Sequence, residues 1–360
     1  MKNYSIITLG ASGSGKTIFL ASLFKVFSIQ GKFGFSLDVQ DSSKRMVMNK
    51  VFADLTTGEQ WPLGTRNISE WALTAYVNNS EISKVPACKI TYVDYKGGLI
   101  TDVSTKDEEN YGGYNDLETY VKEADAVLVI LDGQKLLSLM QDHDLTNKVV
   151  FRWLNEDLSA LMQMVDKCNK YIPVHFIISK WDLLEGSYSL PDVKKRLLNN
   201  VPEFYNVVDN RRKVSCPVRL IPVSSLGKGF AVLQPDGQMK KLSVNPHPMN
   251  VECPLAFALT DKLPNPGRSK QKPFKPTVWD WIVIGLCIAL IQPSNGFVLI
   301  IAIVYFGFRL LRNKKQRLNE ISSSEEAFEQ ILSKCQEIKK QFNADFPDSD
   351  LAKIPSFKSR

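Results

Sequence analysis

The stretch GASGSGKT, Gly10 to Thr17, constrains this chain more than any other, because of what flanks it. A short β-branched run ends at Leu9, and a helix-like stretch begins at Lys16. A strand that turns through glycines straight into a helix, with the spacing G-x-x-x-x-G-K-[ST], is a loop built to hold phosphate. Its glycines let backbone N–H groups face inward at a helix N-terminus, Lys16 adds a point charge, and Thr17 can ligate Mg²⁺. Gly10, Ser12, Gly13, Ser14, Gly15, Lys16 and Thr17 are therefore candidate ligands of a nucleoside phosphate.

Such a loop needs a sheet with crossover helices, and the chain through Leu263 alternates accordingly. Strands are predicted at Ser5 to Leu9, Phe35 to Val39, Trp71 to Val77, Lys89 to Val93, Ala126 to Leu131, Val174 to Ile178 and Val218 to Val223. Helices are predicted at Lys16 to Phe27, Ser42 to Leu55, Asp116 to Glu123, Asn147 to Cys168, Asp192 to Leu198 and Pro254 to Leu263. The fold class is thus α/β, with a mainly parallel sheet flanked by helices. The 44% apolar and 23% charged residues are ordinary for a globular chain, so any anomaly is local.

The phosphate loop alone does not say which base is bound, and three later stretches bear on that. TYVDYKGG ends an apolar strand with Asp94-x-x-Gly97, where a carboxylate can hold a magnesium-bound water and the Gly97 N–H can meet a γ-phosphate. FIISKWD ends another with Ser179-Lys180-Trp181-Asp182, close to the [NT]KxD motif. An aspartate there accepts from guanine N1–H and the 2-amino group, with the lysine stem along the base. Adenine offers neither donor in that geometry and would leave Asp182 unpaired. IPVSSLGKG follows the last strand with Ser224, Ser225 and Leu226, where a backbone N–H can reach guanine O6.

Four loops, each directly after an apolar strand and in this order, resemble those of TRAFAC-type GTPases. More narrowly, GEQWPLGT and PHPMNVECPLAFAL resemble the bacterial double-GTPase (DO-GTPase) domain. The resemblance covers Met1 to Leu263 and implies a G-domain that binds GTP and GDP with Mg²⁺. By it, Thr65 is the switch I threonine that closes on Mg²⁺ and the γ-phosphate, with Lys16, Thr65 and Gly97 carrying the chemistry and Thr17, Thr65 and Asp94 at the metal. Tyr95 to Glu109 is then switch II, a polar loop ordered by γ-phosphate. Three positions depart from the pattern: Gly98 stands where many GTPases place a water-orienting glutamine, Ser12 replaces a common glycine, and Ser179 replaces asparagine or threonine. Hydrolysis is expected to be slow, with water positioned by Glu108, Glu109, a backbone group or a partner. Arg66 reads either as an arginine finger or as a solvated loop residue.

The anomaly lies late. Residues 264–277 form a basic, proline-rich linker, which proline and like charge keep extended. Residues 278–312 follow with two apolar arms, Trp281 to Ile291 and Phe297 to Phe308, each about 17 Å as helix against a bilayer core of about 30 Å. A turn at Gln292 to Gly296 spares those polar groups from the bilayer centre, so a hairpin is expected, with Trp279 and Trp281 at the interface. The net charge of +7 is concentrated in the basic flanks of this segment, which favours a membrane surface over nucleic acid and keeps both flanks cytosolic. A buried soluble hairpin is the alternative. The tail, 313–360, places Phe328, Ile331, Leu332, Cys335, Ile338 and Phe342 on one helical face over 322–342, for self-association, a partner, or its own domain.

Six scattered cysteines lack metal spacing, no secretory leader precedes the first strand, and His143, His175 and His247 suggest no catalytic arrangement. The expectation is a GTP-binding switch with slow or partner-stimulated hydrolysis, at the cytoplasmic face of a membrane (the inner membrane if bacterial), acting on a protein effector. The alternatives are a non-catalytic GTP-binding scaffold and a phosphate-loop ATPase or kinase.

Overall fold

The computed structural model describes residues 1–28, 33–57, 61–62, 68–79, 83–101, 108–242, 245–261 and 324–353. Its strands are β1 (Lys2–Leu9), β2 (Phe35–Val39), β3 (Ser69–Asn79), β4 (Ser83–Asp94), β5 (Ala126–Leu131), β6 (Val174–Ile178), β7 (Val218–Pro222), β8 (Ala231–Leu233) and β9 (Met239–Lys241). The first seven form one sheet in the order β2-β3-β4-β1-β5-β6-β7. From β4 through β7 all neighbours in that order run parallel, whereas β3 is antiparallel to both β2 and β4. The two short strands pair with each other outside the sheet.

The helices are α1 (Lys16–Ser28), α2 (Ser42–Thr57), α3 (Gly98–Thr101), α4 (Glu108–Glu123), α5 (Gly133–Gln141), α6 (Lys148–Arg152), α7 (Ser159–Asp166), α8 (Leu190–Asn200), α9 (Pro202–Lys213) and α10 (Cys253–Thr260), with a last helical stretch, α11, over residues 324–345. The period of two along a strand divides the core into two layers. On β5, Ala126, Leu128 and Ile130 pack with α1, α10 and α11, while Val127, Val129 and Leu131 pack with α5 and α7 to α9. Both faces of the central strands are covered, which is why they read as unbroken apolar runs.

Several expectations are corrected. The single helix expected over Asn147 to Cys168 is interrupted by a π-helical segment, Trp153–Leu158, between α6 and α7. α5 and α9 were not foreseen. α9 buries Phe204, Val207, Val208 and Arg211, and the arginine in that stripe masks its apolar period. Burial is tolerated because the guanidinium donates to Asn169 O at 2.7 Å and Ile172 O at 3.3 Å.

The tail joins the domain that precedes Pro264. Met1–Leu263 and Ala327–Arg360 form one compact unit, and Pro264–Glu326 another. Phe328, Ile331, Cys335 and Phe342 are buried in the first unit's core. Phe328 stacks on Tyr4 at 5.8 Å, and Phe342 meets Phe257 edge-on at 5.4 Å. Arg219 Nη1 donates to Asn343 Oδ1 at 3.1 Å, and Leu351 N–H donates to Val218 O at 3.0 Å. Of the uses open to this helical face, packing on its own domain is the one the structure shows. The predicted linker and the 278–312 hairpin lie outside the described residues. Among the described residues no helix is long and apolar enough to cross a membrane.

Candidate functional site

β1 lies at the middle of the seven-stranded sheet, with β4 on one side and β5 on the other. From β1 the chain crosses to the β2 edge and returns through β3 to β4, then passes β1 to add β5, β6 and β7 toward the other edge, so the loops after β1 and β4 diverge and leave a crevice. The Gly10–Thr17 loop sits at its floor. Gly13 and Gly15 have φ of +75° and +95°, the left-handed region that side chains resist, and open space lies where their Cβ atoms would be. The first N–H groups of a helix have no acceptor within it, which suits the start of α1 to an anion.

Lys16 is 7% exposed, and its Nζ donates to Gly10 O at 2.8 Å and Ala11 O at 3.1 Å. Burial lowers its pKa to about 8, against the opposing pull of the Asp94 carboxylate. A protonated, dehydrated ammonium on a helix N-terminus is an anion site. Asp94, at the end of β4, is buried and accepts from Thr17 Oγ1 at 3.0 Å. The pair presents only hard oxygen ligands, which suits Mg²⁺. Among the described residues no group of three or more His, Cys, Asp or Glu side chains could hold a metal ion.

Tyr95, expected in a polar loop, is instead fully buried. Its hydroxyl accepts from Gly10 N–H at 2.8 Å and lies 3.2 Å from Gly10 O, while its ring sits 4.9 Å from Lys16 Nζ. These bonds fasten the start of the Asp94-x-x-Gly97 segment to the phosphate loop. A Cβ at Gly97 would lie 2.3 Å from Ser12 N, so only glycine permits that approach. Gly98 opens α3 and gives no side chain toward the cleft.

The loop after β6 brings the remaining motif in. Ser179 Oγ donates to Ser14 O at 2.8 Å, so the departure from asparagine or threonine preserves a bond to the phosphate loop. Lys180 has φ of +51°, and its Nζ donates to Asp132 Oδ1 at 2.9 Å and Gly13 O at 3.3 Å. Asp182 accepts from Ser224 Oγ, which itself accepts from Gly227 N–H at 3.0 Å. Ser225 O, in turn, accepts from Ser22 Oγ on α1.

One cavity of about 550 Å³ is lined by Ser12, Gly13, Gly15, Lys16, Thr17, Gly97, Ser179, Lys180, Asp182, Ser224, Ser225 and Leu226. Gly10, Ser14 and Asp94 support that lining from behind. The candidates from four separate strand ends thus converge. Thr65 and Arg66 lie outside the described residues, as do the side chains of Glu108 and Glu109. The cavity is also walled by Trp61, Pro62, Phe230, Ala231, Gln238 and Met239, none of them foreseen. A Pro235-Asp236-Gly237 turn signal between short alternating runs marked the β8–β9 hairpin that supplies Gln238 and Met239.

His175, read as a core histidine, is fully buried, its Nε2 3.6 Å from Asp261 Oδ2. The described cysteines, Cys88, Cys168, Cys216, Cys253 and Cys335, are all free and buried. No protein-family model matches the chain, and no curated protein matches it.

Proposed function

We propose that this chain is a guanine-nucleotide-binding protein of the TRAFAC GTPase type, resembling the double-GTPase domain, with slow or partner-stimulated GTP hydrolysis. The observation that carries this reading is the convergence, in one cavity, of Lys16 and Thr17 with Gly97 on one side and with Asp182 and the Ser224–Leu226 loop on the other. In it, the α1 N-terminus and Lys16 hold the phosphates, and Asp182, oriented by Ser224, reads the guanine edge. Magnesium held by Thr17, with Asp94 behind it and Thr65 closing over it, would neutralise charge on the phosphates. Tyr95 and Gly97 hold the switch II segment against the phosphate loop, so a γ-phosphate that meets the Gly97 N–H biases the same contact. A two-state switch read by an effector follows. The 278–312 segment would hold the chain at a cytoplasmic membrane face.

The test is a nucleotide panel on the full-length protein, since residues from Ala327 onward belong to the compact unit. GTP and GDP are expected to bind and ATP to be rejected. ATP binding as tight as GTP would overturn the base assignment. A second reading, a scaffold that holds GTP without splitting it, is favoured by Gly98, which supplies no water-orienting side chain. Multiple-turnover phosphate release that disappears in Lys16→Ala would exclude the scaffold.

A further inference from the structure

The β8–β9 hairpin leaves the cavity wall at Phe230 and returns at Leu242, whose N–H donates to Phe230 O at 2.8 Å. Each of its strands has three residues, too few for a hairpin to persist in water unaided. Hydrogen bonds fasten it at three places, two from side chains elsewhere and one from its own Lys241. At the tip, Gly237 O accepts from Gln134 Nε2 of α5 at 2.7 Å. At the return strand, Met239 O accepts from Trp61 Nε1 at 2.6 Å. Beyond it, Lys241 Nζ donates to Asp54 O of α2 at 3.1 Å and lies 5.1 Å from the Trp61 ring centre. The hairpin therefore runs from the α5 side of the cleft to the α2 side.

Its contribution to the cavity is Phe230, Ala231, Gln238 and Met239, beside Trp61, which meets Phe230 edge-on at 6.3 Å. Those side chains carry no charge, and the hairpin's tip is held by Gln134, two residues past Asp132, whose carboxylate holds Lys180 of the loop that carries Asp182. An uncharged, partly aromatic wall in the cavity that Asp182 also lines suits the neutral half of a nucleotide, its base and ribose, and gives nothing to phosphate. We propose that the β8–β9 hairpin, fastened by Trp61 and Gln134, is a strap over the nucleoside end of the cleft that sets how long a guanine nucleoside diphosphate or triphosphate stays bound. This rests on the guanine-nucleotide reading above. Because the strap must lift for the nucleoside to leave, breaking an anchor acts chiefly on the dissociation rate.

The experiment uses full-length protein loaded with tritiated GDP and chased with excess unlabelled GDP. Trp61→Ala is expected to release GDP about tenfold faster than wild type, and Gln134→Ala several-fold faster, with the association rate within twofold of wild type. Gln134 reaches the hairpin from the start of α5, is only half-buried and belongs to neither core layer, so its truncation leaves the core intact even if Trp61→Ala lowers the unfolding midpoint. If wild type holds GDP and both variants release it at the wild-type rate, the strap is refuted and the guanine site stands. If wild type holds no guanine nucleotide, both readings fall together.

Discussion

Raising the pH should weaken nucleotide binding through one identifiable proton, that of Lys16. In the free protein its ammonium is dehydrated among loop carbonyls, and its pKa falls from the ordinary 10.5 to about 8. That difference corresponds to about 3 kcal/mol against the charged form at neutral pH. The penalty on the folded, unliganded state is full below pH 8 and lifts as pH rises toward 10.5, so the free protein gains stability across that window. A bound polyphosphate reverses the preference by supplying the anion the ammonium lacks, so binding above pH 8 must take up a proton. With a free pKa of about 8, roughly three-quarters of a proton should be taken up per GDP at pH 8.5, and affinity should fall about tenfold from pH 7 to pH 9. Tyr95, in contact with Lys16, adds nothing because burial pushes its hydroxyl far above this range. Titration calorimetry at pH 8.5 in buffers of different ionisation enthalpy reads the uptake directly, in wild type and in Lys16→Ala. Zero uptake in wild type would refute the assignment of Lys16 as the charged phosphate ligand, and equal uptake in Lys16→Ala would place the proton elsewhere.

Other perturbations act on separate parts of the unit. Asp182→Asn should weaken GDP by at least about tenfold, because charged hydrogen bonds are lost, while leaving ATP affinity unchanged; equilibrium competition measures both. His175 is pushed down to about 4 by burial, against the pull of Asp261 and with Arg219 and Lys339 facing it. Its contribution to stability is therefore complete above pH 6.5 and lost as pH falls toward 4, up to about 3 kcal/mol, and His175→Leu should flatten that slope in denaturant titrations. Phe328→Ala should cost about 3–5 kcal/mol of stability through the cavity it leaves beside Tyr4, with GDP affinity unchanged in the folded fraction. Unaltered stability there would mean that α11 does not hold the core in solution.

The sequence by itself determined the sheet and the floor of the cleft. Each central strand is an apolar run because helices cover both faces, so all seven strands of the large sheet were legible, Phe35–Val39, Ala126–Leu131 and Val174–Ile178 to the residue. The motif residues were legible because each sits at a strand's carboxyl end, where spacing along the chain is spacing in the site. Tertiary structure alone decided the rest. Tyr95 follows a motif aspartate and looks like a loop residue, yet its hydroxyl finds Gly10, a contact across 85 positions that no local pattern records. Arg211 completes a buried helical face only because the carbonyls of Asn169 and Ile172 wait for it. α11 was visible as an amphipathic helix but silent about its partner, since an apolar face states that it will be covered and not by what. The hairpin over the nucleoside end is the clearest case: its three-residue strands carry too little local preference to form alone, and they exist where Gln134, Trp61 and Asp54 hold them. Local sequence specifies what is stable locally, and the walls of this cleft are stable only in company.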